Sequence, residues 1–335
     1  MKPIRLGHIG TLHDHSSAKL ACVKKFPELF EVIGCVAESR ERAEELKNLP
    51  PYAGTPFMTR EELSELKPEA VLVEGFELNL IDDAMFWVSK GVHVHIDKPA
   101  GDSPEKLESL YRMAERTGAQ IQFAYMYRYN AAFLDCMARI ERGELGEIYE
   151  VDAVMDTCHD EKKREWLSAF PGGIMFFLGC HMIDLVYRIQ GLPEKIHPFL
   201  KSTGFDGVRS IDHGFAAFEY PKGISTVRAT STEVNGYGRR QLVVCGSKGT
   251  YEIEPLEAPT HAYFIPKSAS RTFADCRQEV SLPVFDPLCR YDGMMRDFYA
   301  FARGEKKNMY DKAYETALEK ILLYCCGKQD IDWKK

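Results

Sequence analysis

The sequence predicts an α/β domain with a parallel sheet, followed by an α+β domain with a large, mostly antiparallel sheet. Up to about residue 125, short apolar runs alternate with amphipathic helical patterns, as in βαβ units. From about residue 145, strand-like runs follow one another with short turns between them. We therefore expect domains at 1–127 and 128–335, with C-terminal helices that can pack back on the first domain.

The elements of the first domain follow from the spacing of its apolar residues. Its predicted strands are Ile4–Ile9, Glu31–Ala37, Ala70–Val73, Val92–Ile96 and Gln120–Ala124. Its predicted helices are Ser16–Phe26, Arg40–Asn48, Arg60–Leu66, Ile81–Lys90 and Pro104–Thr117. Thr59 and Ser103 fit N-cap positions, and Glu62 completes a capping box with Thr59.

The second domain is predicted to contain more strands than helices. The strands are Ile148–Met155, Ile196–Lys201, Gly214–Tyr220, Ile224–Ser231, Gln241–Cys245 and Gly249–Ile253. One helix contains Met175–Gln190, and two more lie near Tyr291–Arg303 and Asp311–Tyr324.

Composition excludes several classes of partner. The formal net charge is −7 and no basic stripe stands out, which argues against nucleic acid. No apolar run reaches the roughly 18 residues of a membrane span, and the amino terminus lacks an apolar signal segment. The 10 cysteines contain no Cys-x-x-Cys, so we expect reduced cysteines in a cytoplasmic protein.

The segment Asp97-Lys98-Pro99 carries the clearest hint of chemistry. Pro99 cannot continue the preceding strand, so Lys98 is expected at the carboxyl edge of the sheet, where open α/β folds bind ligands. A lysine there can serve as a fixed cation or as a proton carrier, although a solvated lysine at a strand end is the simpler interpretation of the tripeptide alone.

The turn after the first strand occupies the position of a dinucleotide-binding βα turn. Gly10 fits the first glycine of the fingerprint, whereas Leu12 and His15 stand where the second and third glycines belong. His13-Asp14-His15 also suggests a metal, but adjacent ligands alone do not make a zinc site, and we expect no metal. Loop polarity or helix capping by Asp14 explains this tripeptide more simply.

The end of the second strand bears on the choice of cofactor. Glu38 there could accept hydrogen bonds from an adenosine ribose, which favours NAD. Ser39 and Arg40 could instead hold the 2′-phosphate of NADP, so the preference stays open. Glu38 could also serve only as an acidic residue at a helix start.

A buried helix in the second half carries polar residues. Phe177, His181, Asp184 and Arg188 recur at i, i+4, i+7 and i+11 and so share one helix face. Such groups must be paired or must line a cavity. A structural network and a role in a site are equally compatible with Asp184 and Arg188, whereas His181 is the stronger candidate for function.

In combination, these segments resemble the glucose–fructose oxidoreductase / inositol dehydrogenase (Gfo/Idh/MocA) family of nicotinamide-dependent sugar and polyol oxidoreductases. The likeness covers nearly the whole chain in order. It runs through the Gly10 turn, His93–Pro99, Tyr127–Asn130, Gly172–Asp184, Val244–Tyr251 and Tyr291–Gly304.

The resemblance implies a Rossmann domain and a sheet domain whose open face forms a homodimer or homotetramer contact. It implies catalytic roles for Lys98 and His181, with Asp184 beside His181, and NAD or NADP as cofactor, NAD being favoured. The cofactor site expected from it comprises Gly10, Thr11, Leu12, Glu38, Arg40, Glu74, Gly75, Lys98 and Arg128.

Three positions depart from the family pattern. Leu12 replaces a glycine over the pyrophosphate, and Glu74–Glu77 replaces a Thr-Pro-Asn-like loop. Phe177 stands where many polyol dehydrogenases of the family have a catalytic aspartate. The departures bring the usual sugar-alcohol substrate into question.

The leading hypothesis is hydride transfer to or from a secondary alcohol or carbonyl of a sugar, polyol or related small molecule. His181 would move the hydroxyl proton, since an ordinary histidine titrates near neutrality, and Lys98 would supply a hydrogen bond and charge; the reverse assignment stays open. The alternatives are glycoside elimination or hydrolysis through transient oxidation, and a non-catalytic dinucleotide-binding sensor or scaffold.

Overall fold

The computed structural model describes residues 2–257, 260–270, 272–283 and 286–334. It divides into two compact units. The first unit is built from Met1–Met126 and Leu288–Thr316, and the second from Tyr127–Pro287 and Ala317–Lys335.

The amino-terminal part of the first unit alternates strands and helices as predicted. In chain order the elements are β1 (Ile4–Ile9), α1 (Ser16–Lys24), β2 (Phe30–Val36), α2 (Arg40–Leu46), α3 (Arg60–Glu65), β3 (Ala70–Val73), α4 (Leu80–Val88), β4 (His93–Ile96), α5 (Pro104–Thr117) and β5 (Ile121–Phe123).

Strands dominate the rest of the chain. In order, the elements are α6 (Ala131–Glu141), β6 (Ile148–Val154), α7 (Glu161–Trp166), α8 (Cys180–Gln190), β7 (Lys195–Lys201), β8 (His213–Tyr220), β9 (Gly223–Thr230), β10 (Gln241–Gly246), β11 (Gly249–Ile253), β12 (Ala262–Pro266), β13 (Gln278–Glu279), α9 (Asp292–Ala302) and α10 (Lys312–Cys325).

The sheet of the first unit is parallel, with the order β2-β1-β3-β4-β5. This confirms the predicted parallel sheet. Phe57 adds a single parallel bridge to Cys35 on β2. Because the chain runs outward from β1 in both directions, the strand order reverses between β1 and β3, which is where doubly wound sheets bind ligands.

The predicted helix starts are confirmed in detail. The Thr59 hydroxyl accepts the backbone N–H of Glu62, and the Glu62 side chain accepts the N–H of Thr59 in a capping box. Ser103 caps α5 by accepting the N–H of Lys106. These local signals fix where the connecting helices begin and therefore where the loops at the sheet edge lie.

Helix α9 completes the first unit although it lies far away in sequence. The side-chain amide of Gln122 donates to the carbonyl of Met294 over 3.2 Å. Tyr299 packs edge-on against Phe30, with ring centroids 5.9 Å apart. Burial of these groups ties α9 to β5 and β2.

The second unit contains an eight-stranded sheet in the order β13-β12-β11-β10-β6-β9-β8-β7. All of its neighbouring pairs are antiparallel except β6 and β9, which run parallel. This confirms the mostly antiparallel sheet. Residues such as Val151, Val227 and Val244 are buried on one face, as the period-two pattern requires.

Some elements differ from the prediction. The helix containing Met175–Gln190 opens with a π-helical turn at Met175–Gly179 and becomes α-helical at Cys180. Helix α6 was not predicted, although Asn130 caps it by accepting the N–H groups of Ala132 and Phe133. The edge strands β12 and β13 were missed too, because short edge strands carry a weak periodic signal.

The described residues contain neither a disulfide nor a helix that could cross a membrane. All 10 cysteines lie in the described parts of the chain, and each is a free thiol there. Within the same residues, every helix is too short or too polar to cross a membrane.

Candidate active site

The carboxyl ends of four strands meet at one edge of the parallel sheet. Ile9 pairs with Val73, Val73 with Ile96, and Ile96 with Phe123. The residues that follow these positions are therefore neighbours across the sheet. They are Gly10 after β1, Glu74 after β3, Asp97 and Lys98 after β4, and Ala124 after β5.

Gly10 allows two of these turns to approach each other closely. It has a φ of +83°, and a Cβ atom there would lie 2.4 Å from the Cα of Gly75. Any side chain at position 10 would therefore collide with the backbone after β3. Gly10 and Gly75, both predicted to bind cofactor, thus lie side by side.

Glu38 is bound to the turn that follows Gly10. The backbone N–H of Thr11 donates to Glu38 Oε1 over 2.7 Å, and the Thr11 hydroxyl donates to Oε2 over 2.6 Å. Arg42 Nε also donates to the Thr11 hydroxyl over 3.3 Å. Arg40 is exposed at the first position of α2. The acidic end of β2 is thereby fixed beside the β1–α1 turn.

Leu12 is an exposed residue of the same turn, with half of its surface (50%) accessible. Helix α1 begins after it with no side-chain cap and no acidic residue in its first turn. A helix start of this kind offers unneutralised N–H groups to an anion.

A buried ion network lies behind this edge. Lys19 on α1 donates to Glu74 Oε1 over 2.9 Å and to Asp97 Oδ2 over 2.5 Å, and all three side chains are inaccessible. Burial raises the pKa of Glu74 well above its usual range, although Lys19 opposes this. Burial would also raise the pKa of Asp97, but neighbouring histidines and Lys19 together hold it well below its usual range.

Two histidines of the β1–α1 turn face Asp97. His13 Nδ1 lies 3.1 Å from Asp97 Oδ2, and His15 Nδ1 lies 3.3 Å from the same oxygen. Burial lowers the pKa of both imidazoles despite the adjacent carboxylate. This convergence could not be predicted from the sequence, because only the fold brings the end of β4 to the turn. The i, i+4 spacing of His15 and Lys19 was the one available signal.

The backbone of Lys98 is held on both sides. Its N–H donates to Asp97 Oδ1 over 2.7 Å, and its carbonyl oxygen lies 3.2 Å from His13 Nε2. The Lys98 side chain is buried. The structure thus places Lys98 at the carboxyl edge of the sheet, on a rigid support.

The second unit contains the other predicted site residues. Arg128 and Asp184 form a buried bidentate ion pair, with Nε 2.9 Å from Oδ2 and Nη2 2.7 Å from Oδ1. His181, one turn before Asp184 on α8, is buried and meets the ring of Tyr127 edge-on at 4.9 Å. Arg188 is only partly buried.

Phe177 belongs to an aromatic cluster. Its ring lies 5.1 Å from that of Trp166 and 6.1 Å from that of Phe170, measured between centroids. The ammonium group of Lys163 lies 3.6 Å from the centroid of Trp166 and 4.8 Å from that of Phe177. Position 177, where the resemblance implies a catalytic aspartate, is therefore apolar here, with the Lys163 ammonium group nearby.

His8 supports the β1–α1 turn from within the core and gives the first unit a measurable pH dependence. Its Nε2 lies 2.9 Å from the Ser16 hydroxyl, and burial lowers its pKa from 6.5 to about 3. The folded protein keeps His8 neutral while the unfolded chain takes up a proton below pH 6.5, so this contribution is lost as the pH falls towards 3.

Between pH 7 and 4.5, the wild-type protein should therefore lose about 2.5 kcal/mol more unfolding free energy than His8→Gln. Urea unfolding at the two pH values measures this difference. Equal pH dependence in the two proteins would contradict the neutral, buried state of His8.

Known protein families and structures share sequence patterns and architecture with this chain. Residues 133–252 match the family model described as the GFO/IDH/MocA C-terminal domain. Residues 133–252 thus carry the sequence pattern of a Gfo/Idh/MocA C-terminal domain. The match lies in the second unit and includes helix α8 with His181 and Asp184.

Relatives of the family resemble the chain at low identity. The uncharacterized oxidoreductase C115.03 of Schizosaccharomyces pombe is 23% identical over 341 residues, covering 96% of this chain and 91% of the relative. The scyllo-inositol 2-dehydrogenase (NADP(+)) IolW of Bacillus subtilis is 23% identical over 183 residues, covering 54% of this chain and 51% of IolW.

A solved structure shares the fold over almost the full length. The crystal structure of a putative NADPH-dependent oxidoreductase from Desulfitobacterium hafniense has a TM-score of 0.83 and 16% identity. The alignment covers 98% of this chain and 95% of that one.

Proposed function

We propose that the protein is a nicotinamide-dependent oxidoreductase that transfers hydride to or from a secondary alcohol or carbonyl of a sugar-like molecule. The observation that carries this proposal is the carboxyl edge of the parallel sheet. There the turn that follows Gly10 lies at the switch point of strand order, and its His13 Nε2 is 3.2 Å from the carbonyl oxygen of Lys98, just after β4. The named relatives, which include an inositol dehydrogenase, support the same reaction class.

The residues of the β1–α1 turn fit a dinucleotide. Gly10 keeps the turn free of a side chain, and the start of α1 presents N–H groups without a competing acid of its own. Leu12 departs from the fingerprint, but its side chain is half exposed and need not lie beneath the pyrophosphate. Gly10, Thr11 and Gly75 would then hold the cofactor by their backbones.

A nicotinamide cofactor held at the β1–α1 turn by Gly10, Thr11 and Gly75 would supply the hydride chemistry. We assign proton transfer from the substrate hydroxyl to His181 and a hydrogen bond to the substrate to Lys98. The backbone of Lys98 is held by hydrogen bonds, which suits the role of hydrogen-bond donor. Little free energy is spent on orienting a donor whose support is already fixed. Arg128 and Asp184 keep α8 in place rather than contributing to the chemistry itself.

We propose NAD as the preferred cofactor. Glu38 is held at the end of β2 by two hydrogen bonds from Thr11, so its carboxylate would face the adenosine ribose and repel a 2′-phosphate. The nearby guanidinium groups of Arg40 and Arg42 favour the other choice, as do the names of the NADP-dependent relatives.

The choice of cofactor can be measured with Glu38→Gln. We expect this change to weaken NADH binding about 10- to 100-fold, since a hydrogen bond to a charged group is lost, and to improve NADPH relative to NADH. Glu44→Gln on the exposed face of α2 is the matched control and should bind both as the wild type does. A wild-type preference for NADPH, or unchanged NADH binding in Glu38→Gln, would contradict the assignment.

The surroundings of Phe177 restrict the class of substrate that the protein would accept. With a phenyl ring among Trp166 and Phe170, and the Lys163 ammonium above, this part of the second unit offers apolar contact and positive charge. We therefore propose a sugar-like substrate that carries an apolar or anionic substituent, rather than a simple polyol.

The open face of the antiparallel sheet is proposed as a contact between copies of the chain. Phe199 and Ile224 lie on it with 58% and 56% of their surface exposed, and Phe199 pairs with Phe215 on β8. We expect a homodimer or homotetramer by light scattering, and Phe199→Asp with Ile224→Asp should shift it to monomer. A monomeric wild type would contradict this contact.

A further inference from the structure

One buried cluster in the first unit has no role in the proposed reaction. His13 and His15 come from the β1–α1 turn, and Asp97 comes from the end of β4. One ligand atom from each lies within 4.8 Å of the others. The two closest spacings are 3.1 Å from His13 Nδ1 to Asp97 Oδ2 and 3.3 Å from His15 Nδ1 to the same oxygen.

The hydrogen bonds of His13 determine which of its two ring nitrogens carries the proton. The other ring nitrogen of His13, Nε2, lies 3.2 Å from the carbonyl oxygen of Lys98, which can only accept, so Nε2 carries the proton. Nδ1 then presents a lone pair, and it accepts the backbone N–H of His15 over 3.2 Å. The lone pair of His13 Nδ1 and the carboxylate oxygen 3.1 Å away repel each other. A cation between or beside these two atoms relieves the repulsion.

The surroundings orient these groups as the outer partners of a metal site do. A ligating histidine usually donates its second N–H to a carbonyl or carboxylate, and His13 Nε2 lies 3.2 Å from the carbonyl oxygen of Lys98. Asp97 is fixed in turn, because its Oδ1 accepts the N–H of Lys98 over 2.7 Å.

Lys19 is the cation already beside Asp97, at 2.5 Å, and it is shared with Glu74 at 2.9 Å. Glu74 Oε2 is buried and has no hydrogen-bond partner among the described residues. Lys19 can keep its hydrogen bond to Glu74 Oε1 when Asp97 binds another cation. His15, with a side chain 19% exposed, gives an ion access from solvent.

We propose that His13, His15 and Asp97 bind one divalent transition-metal ion, with zinc the best match. Two imidazoles and a carboxylate are typical zinc ligands, and with bonds of roughly 2.0–2.1 Å the ligand atoms of a tetrahedral site stand about 3.3 Å apart. A water molecule would be the fourth ligand. The ion would join the β1–α1 turn to the end of β4, one residue before Lys98.

The test measures metal binding and is independent of enzyme turnover. Tag-free full-length protein is stripped with a chelator, dialysed, and titrated with Zn²⁺ and with Co²⁺. We expect one equivalent per chain, together with the strong visible absorption of low-coordinate Co²⁺.

His15→Gln is the informative variant, because this partly exposed position tolerates replacement, and circular dichroism verifies that it is folded. Mutation of a residue that only hydrogen-bonds to a metal ligand typically lowers metal affinity about 10- to 100-fold. Loss of the ligand itself should therefore lower the affinity of His15→Gln for Zn²⁺ by at least about tenfold. His197→Gln, an exposed histidine on β7, should bind like the wild type. If no metal ion binds, or if folded His15→Gln binds the ion as tightly as the wild type does, the proposal is overturned. Lys19 is then the cation that pairs with Asp97.

Discussion

Replacing Lys98 by methionine or His181 by alanine should lower kcat by about 10²–10⁴-fold on any substrate that the wild type turns over. Loss of a positioned proton-transfer group costs this much, and loss of a hydrogen bond to the reacting oxygen costs a similar factor. Lys98 is suited to such a role because its N–H and carbonyl are both held by buried partners. Steady-state kinetics measures the loss, with kcat and KM reported separately.

Matched substitutions at exposed positions distinguish a specific loss of catalysis from a nonspecific effect of replacing a lysine or a histidine. Lys90→Met removes an exposed lysine of the first unit, and His197→Ala removes an exposed histidine of the second. Both should keep kcat within about twofold of the wild type, as surface changes usually do. Near-normal kcat in both Lys98→Met and His181→Ala would remove these residues from the mechanism.

Arg128→Leu should lower the free energy of unfolding by about 3–5 kcal/mol. The change removes the bidentate cation from the buried carboxylate of Asp184, and the intact pair is almost fully shielded from water. Urea unfolding followed by circular dichroism measures the loss.

An exposed ion pair provides the control for Arg128→Leu. Lys222 pairs with Glu147 on the surface of the second unit, so Lys222→Met should cost less than about 1 kcal/mol. The double variant Arg128→Leu/Asp184→Leu should regain part of the lost stability, because no lone charge then remains. Equal losses in Arg128→Leu and Lys222→Met would refute the buried-pair argument.

Local patterns were enough to predict most of the fold. The apolar periodicity gave strands such as Ala70–Val73 with their observed bounds, and the Thr59 capping box marked the start of α3. The position of Lys98 followed from Pro99, because proline lacks the N–H that an interior strand such as β4 needs, whereas the edge strand β7 tolerates Pro198. Each of these features depends on a few neighbouring residues.

Features that depend on distant partners could not be predicted. Asp184 was expected beside His181, but its bidentate partner is Arg128, 56 residues earlier in the chain. The convergence of Asp97 with His13 depends on the packing of β4 near the β1–α1 turn, which no local pattern encodes. The π-helical turn at Met175–Gly179 likewise interrupts the i, i+4 spacing assumed for Phe177 and His181.

Whether the protein binds a nicotinamide dinucleotide tests the central claim most directly. Purified protein is titrated against fixed NADH and NADPH while the fluorescence of the reduced nicotinamide is followed. We predict saturable binding of at least one of them, NADH in preference, with Kd well below millimolar. If neither dinucleotide binds below millimolar concentration, Leu12 and the Glu74–Glu77 loop have abolished the cofactor site, and the oxidoreductase proposal is wrong.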